Sequence, residues 1–176
     1  MLTLKGENIN LRALEPEDLD FLFAVENTED NWEISTTSTP YSRFILKQYL
    51  DNSHKDIYEA KQLRLMICKN REDRVGLIDI FDFEPKHRRA AVGILICGKE
   101  NRQNGYGTQA LELVKKYCFS HLGLHQLYAG VGMDNLPSRK LFEKGGFLQT
   151  GIKRDWNYVN GKYKDELVYQ LIRNVH

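Results

Sequence analysis

The sequence predicts a mixed α/β domain, with a mostly antiparallel central sheet flanked by helices. Three observations carry this. Runs with strand character are interleaved with runs of helical spacing rather than segregated from them. Three strand-like runs follow one another between Leu63 and Cys97 with short joins, the signature of an antiparallel meander. The chain then closes in two alternating runs about Asn160-Gly161, a dipeptide that favours a tight hairpin turn. At 176 residues, residues 1–176 are expected to form one domain.

The elements follow in order. "NINLRAL" (Asn8 to Leu14) alternates at period two and reads as the first strand. "EPEDLDFLFAVEN" carries acids in its first turn and Pro16 near the first helical position, which predicts a helix. The polar stretch from Asn27 to Tyr41 reads as a loop. "SRFILKQYLDNSH" returns to helical spacing through Phe44, Ile45 and Tyr49. Strands are expected at Leu63–Cys68, Arg74–Phe81 and Arg89–Cys97, the first two joined by the charged turn "KNRED" and the last two by "DFEPKH". Ala110, Leu111, Val114, Cys118 and Leu122 fall on one helical face, predicting a helix from Thr108 to about Ser120. "HQLYAGVG" is a strand. "LPSRKLFEKGGF" is a helix that opens near Pro137 and stops at Gly145-Gly146.

Composition narrows the function. The hydrophobic share of 41% and charged share of 28% are ordinary for a globular chain. Twenty-five Lys and Arg against 24 Asp and Glu leave a formal charge of +1, so no global field favours nucleic acid or an anionic membrane. "KHRR" (Lys86 to Arg89) reads as a solvated turn. No signal peptide or membrane span is expected. Three cysteines without CxxC spacing suggest reduced thiols and a cytoplasmic location. The five histidines form no HExxH pattern, and no metal is expected.

The densest signal is "NRQNGYGTQALELVKKY", Asn101 to Tyr117. Gly105 and Gly107 stand just before a helix, whose first N–H groups and partial positive charge attract an anion. A plain solvated turn is the alternative reading. A Walker loop would need GK[ST], which "GYGTQ" lacks. Gly105-Tyr-Gly107-Thr-Gln-Ala110 formally matches a dinucleotide fingerprint. However, the strand before it follows a meander, and no acid arrives about 20 residues later, so a Rossmann domain is a distant reading.

Arg102-Gln-Asn-Gly105-Tyr-Gly107 also fits [QR]xxGx[GA], the pyrophosphate loop of the GNAT superfamily of acyl-CoA-dependent N-acyltransferases. "MDNLPSRKLFEKGGF" resembles that superfamily's Asn-led helix ending in EKxGF. "VNGKYKDELVYQL" and "NINLRALEPEDLD" resemble the closing hairpin and opening segment of the branch containing ribosomal-protein N-terminal and spermidine acetyltransferases.

The resemblance implies a GNAT-like sheet, acetyl-CoA as cosubstrate and N-acetylation of a primary amine: a polyamine, a protein N-terminus or another small amine. It also implies a possible homodimer. Backbone amides from Gln103 through Asn104, Gly105, Tyr106 and Gly107 to Thr108, helped by Arg102, would hold the pyrophosphate. Asn135 would bond the pantetheine, with Ser138 or Arg139 nearby. The strand Ala91–Cys97 would lie along the pantetheine, with a backbone N–H between Ile94 and Ile96, here taken as Ile94, polarising the thioester carbonyl. An alkylamine of pKa about 10.4 needs its proton removed near neutrality. Glu33, Asp79, Asp82 and Glu84 are the base candidates. Phe142 stands where many relatives place an acidic Tyr, so an acyl-CoA-binding module with little catalysis is the alternative function. Cys97 as a covalent nucleophile, and Trp32 and Trp156 as acceptor-pocket walls, are weaker expectations.

Overall fold

A computed structural model describes residues 4–70 and 73–174. The strands are β1 (Asn10–Ala13), β2 (Leu63–Cys68), β3 (Arg74–Glu84), β4 (Arg89–Ile96), β5 (Gln126–Gly132), β6 (Leu148–Val159) and β7 (Lys162–Ile172). They form one seven-stranded sheet in the order β1-β2-β3-β4-β5-β7-β6. Every neighbouring pair is antiparallel except β4 with β5. The helices are α1 (Leu19–Glu26), α2 (Trp32–Ser35), α3 (Arg43–Asp51), α4 (Ile57–Ala60), α5 (Tyr106–Lys116) and α6 (Leu136–Lys144).

Period-two alternation sends the two side-chain sets of each strand to opposite faces. One face carries Ile78, Ile80, Val92, Leu127, Ala129 and Tyr169, packed with Ala110, Leu111 and Val114 of α5 and Phe142 of α6. The other carries Met66 and Leu77 under Leu22 and Val25 of α1 and Leu46 and Leu50 of α3. Each such buried aliphatic side chain contributes about 1.5–3 kcal/mol. The second cluster draws no member from β5, β6 or β7. Among the described residues, one half of that face is therefore roofed by helices, while the half built by β5, β7 and β6 is not.

Several expectations needed tertiary context to correct. The α3 spacing through Phe44 and Ile45 is reversed. Leu46 and Leu50, one turn apart, go inward, while Phe44 and Ile45 are exposed. Ser42, whose Oγ accepts the Ile45 N–H at 3.2 Å, caps this helix. The expected loop Asn27–Tyr41 contains a 3-10 turn (Glu29–Asn31) and α2, pinned because the Trp32 indole N–H donates to the Glu26 carbonyl at 2.7 Å. α4 has no counterpart in the sequence reading; four residues are too few to show a period, and Asp56 caps it through the Glu59 N–H. β3 runs on to Glu84, taking in part of "DFEPKH", and β6 begins at Leu148, well before the expected hairpin strand. α5 starts two residues early at Tyr106 and continues as a π-turn over Tyr117–His121. The turn "KNRED" includes Arg71 and Glu72, which lie outside the described residues.

Candidate active site

The parallel contact between β4 and β5 is short. Arg89, Ala90 and Ala91 pair with Gln126, Leu127 and Tyr128, and beyond them the strands part. On its other side β4 stays paired with β3 as far as Ile96, with Ile78 opposite Ile94 and Gly76 opposite Ile96. The Cys97 N–H donates to the Val75 carbonyl at 2.8 Å. Because antiparallel residues alternate between bonding toward and away from one partner, Val92, Ile94 and Ile96 turn their N–H and C=O groups away from β3; the Val92 N–H completes the pairing with Tyr128, and the groups of Ile94 and Ile96 open into the gap. Those groups make an exposed ladder edge that an extended ligand can complete as an added strand.

The glycine turn closes one end of this gap. Gly105 is the N-cap of α5 at φ +76°, and no side chain among the described residues caps that helix. Among the described residues, nothing beyond its own chain neighbours lies within 4 Å of the point where a Gly105 Cβ would stand. Gln103 is also left-handed, at φ +62°, beside an extended Arg102. Non-glycine residues adopt that conformation uncommonly, mostly in turns. Asn104 braces the loop, its side-chain amide donating to the carbonyls of Glu100 and Arg102 at 2.8 and 3.1 Å. The Gln109 N–H reaches the Gly105 carbonyl, so the N–H groups of Tyr106, Gly107 and Thr108 precede the first helical bond and have no partner within the helix. Gly107 lets α5 approach the strand: a Cβ there would stand 3.3 Å from Leu141 and 3.6 Å from Ile96. An uncapped N-terminus joined to an open strand edge suits a ligand with an anionic end and an amide-bearing arm.

Across the gap, Asn135 caps α6, its Oδ1 accepting the Ser138 N–H at 3.2 Å, which keeps its own NH2 available. Arg139 donates from Nη1 to the Met133 carbonyl at 3.1 Å, and its buried Nε has no partner among the described residues. Phe142 is buried edge-on against Phe147, with Tyr169 stacked 6.5 Å away. The Tyr169 hydroxyl donates to Glu143 at 2.8 Å, and burial raises its pKa.

Three of the four carboxylates named from sequence, Asp79, Glu84 and Glu33, are each held by a cation. Asp79 lies on β3 opposite Gly93 but receives Arg64 at 2.7 and 3.2 Å, and Arg64 also reaches Glu26 at 2.6 Å. Glu84 receives Arg89 through two 3.1 Å bonds. Glu33 accepts from Lys164 at 2.7 Å. Asp82 sits at φ +46° where the β3–β4 register shifts. Burial pushes the Cys97 thiol up to about 11, so it stays protonated near neutrality and is a poor nucleophile. Trp32 is a pin for α2, and Trp156 is exposed beneath Lys153 at 4.4 Å.

The unroofed face contributes residues to which the sequence reading gave no site role. A cavity of about 420 Å³ is lined by Arg89, Gln126, Tyr128, Thr150, Val168 and Gln170. Beside it along β7 stand Glu166 and Lys164. Lys164 bridges Glu33 and Asp134 at 2.7 and 2.8 Å, and it holds the Asp134 carboxyl below its usual range. The alternation of "KYKDELVYQ" could have placed Lys164, Glu166, Val168 and Gln170 on one face; only the sheet order shows what that face borders.

Comparison with known proteins agrees with this arrangement. The description "Acetyltransferase (GNAT) domain" matches residues 8–148. The chain is 28% identical over 162 residues to a spermidine N(1)-acetyltransferase of Vibrio cholerae, covering 91% of this chain and 90% of that protein. It is 34% identical over 105 residues to the uncharacterized N-acetyltransferase YoaA of Bacillus subtilis, covering 60% and 59%. The crystal structure of spermidine N-acetyltransferase from Vibrio cholerae in complex with CoA and spermine superposes with a TM-score of 0.85, over 95% of this chain and 96% of that one. At 23% identity this match speaks for the fold. The matched residues 8–148 run through the parted strands, the glycine turn and α6, and on that ground the chain belongs to the GNAT superfamily, as an N-acetyltransferase drawing on acetyl-CoA.

Proposed function

We propose that the acetyl group is delivered to a primary amine of a small aliphatic polyamine. The observation that carries this reading is Lys164. Its primary alkylammonium sits between the carboxylates of Glu33 and Asp134, at 2.7 and 2.8 Å, on the rim of the unroofed face. A polyamine presents the same group to the same acceptors. The kinship with a protein named spermidine N(1)-acetyltransferase supports the choice.

In this reading the amides from Gln103 to Thr108 hold the pyrophosphate, aided by Arg102. Ile94 and Ile96 offer the pantetheine a strand edge, with the free NH2 of Asn135 beside it, and the Ile94 N–H polarises the thioester carbonyl. Phe142 donates no proton, and a departing thiolate of pKa about 8.5 needs little help. A second reading, acetylation of a peptide N-terminus, draws on the cavity, because Gln126, Gln170, Tyr128 and Thr150 offer partners for a peptide backbone.

The test is thiol release from acetyl-CoA with spermidine, putrescine, lysine and peptides with free N-termini. Turnover led by spermidine, and weakened by added salt as exposed ion pairing is screened, is expected. Turnover led by peptides would replace the polyamine reading. Coenzyme A binding without release for any amine would leave the binding-module reading instead.

The exposed Leu148, Ile152, Trp156 and Tyr158 on the edge strand β6 support self-association, measurable by light scattering. A cytoplasmic location is supported by the free thiols of Cys68, Cys97 and Cys118.

A further inference from the structure

We propose that Glu166 is the general base of the transfer, taking a proton from the acceptor ammonium. This rests on the amine-transfer reading above. Glu166 stands on β7 opposite Gly132 of β5, and Val168 stands opposite Gly130. Its carboxylate leans along the sheet onto Gly130: a Cβ there would stand 2.5 Å from Oε1 and 2.8 Å from the carboxyl carbon. The missing side chain at Gly130 is therefore the room the carboxylate occupies.

That place borders the gap. Ala91 and Tyr128 are the last paired residues of β4 and β5. Gly93 and Gly130 each lie two residues further on, and alternation puts both on the face that carries Asp79 and Glu166, with Gly130 in its unroofed half. Neither rim carries a side chain there to screen the carboxylate from a reacting group between the strands. Glu166 is also loosely held. Lys153 Nζ and Asn157 Nδ2 of β6 are both 3.4 Å away, whereas Asp79, Glu84 and Glu33 have closer cationic partners. Its side chain is 19% exposed, which allows access yet limits solvation.

The charged groups facing Glu166 can be named by element. β6 presents Lys153. β7 presents Lys164, two residues along the same face. The β5–α6 turn presents Asp134, whose Oδ1 lies 3.4 Å from a Gly132 Cβ and whose Oδ2 is occupied by Lys164. β3 presents Asp79, tied to Arg64, while β5 at Gly130 and Gly132 and β4 at Gly93 present none.

The Glu166 carboxylate accepts one proton from the ammonium, freeing the nitrogen lone pair to attack the thioester carbon. The C–N bond forms as the C–S bond breaks. Sulfur leaves with the bonding pair and gains the nitrogen's second surplus proton, giving the free thiol. Glu166 then returns its proton to water, so one proton is released per amide formed.

The experiment is the pH dependence of kcat/KM for the best acceptor of the panel, in the parent protein, Glu166→Gln and Gly130→Ala, with coenzyme A affinity measured alongside. Glu166→Gln is expected to lower kcat/KM at pH 7 by roughly 100-fold or more, as loss of a general base does. The deficit should shrink as pH rises toward the amine's own pKa, with coenzyme affinity unchanged. Gly130→Ala keeps the carboxylate but displaces it, and should reproduce both the loss and the altered profile; it decides the matter if Glu166→Gln does not fold. An unaltered rate and profile in a folded Glu166→Gln, or in Gly130→Ala, overturns the assignment while the transfer reading stands. A parent protein that acetylates no amine overturns the transfer reading, and this assignment with it.

Discussion

At Gly105 the backbone does what a side chain would spoil. Its φ of +76° costs an L-residue roughly 1–2 kcal/mol, and the empty space above it is where the anion is expected. Gly105→Val is therefore expected to raise the coenzyme A Kd at least tenfold by calorimetry. The melting temperature should fall only by about 2–8 °C, the shift such a strain gives a domain of this length. Unchanged affinity would remove the turn from the coenzyme site. Gly105 and Arg102 were legible because a loop motif is local. Glu166 was not: its neighbour Gly130 is 36 residues earlier, and only the β5–β7 register brings them together.

Among the elements, the closing hairpin was legible in outline. Asn160 and Gly161 both have positive φ, +50° and +79°, as a type I′ turn requires. Gly161→Ala should lower the melting temperature by roughly 2–8 °C through the same backbone strain while leaving coenzyme A affinity unaltered, since neither turn residue belongs to the proposed coenzyme site. A loss of coenzyme binding would show that the hairpin and the loop are coupled. The length of β6 and the existence of α2 and α4 were not legible. α2 depends on the Trp32 indole finding the Glu26 carbonyl, and α4 on one capping Asp; neither produces a hydrophobic period.

Across the whole molecule, one buried charge joins the first strand to the meander. Asp18 is fully buried and accepts bonds from both Arg12 Nη atoms and the Glu15 N–H at 2.8 Å and from Arg74 at 2.5 Å. Burial alone would raise its pKa, but these donors outweigh it and hold it at about 2. The folded value lies below the unfolded one, so the stabilisation is complete above about pH 4 and is lost as pH falls toward 2. It amounts to about 2 kcal/mol. In acid titrations followed by circular dichroism, Asp18→Asn should flatten this dependence. It should also cost about 3–5 kcal/mol at neutral pH, because two arginines lose their shared partner. An unchanged acid profile would assign the acid sensitivity elsewhere.

The sequence by itself determined the strand and helix types, the glycine turn with its arginine, the Asn-led helix α6 and the hairpin, because propensity, capping and turn chemistry act over a few neighbouring residues. Only the tertiary structure decided that β4 and β5 part after three residues, that the ladder edge of Ile94 and Ile96 stays open, and that Asp79, Glu84 and Glu33 are held by arginine or lysine. It also decided that Glu166 lies on Gly130. Ion pairing and strand register join residues tens of positions apart, and local periodicity holds no record of such distances.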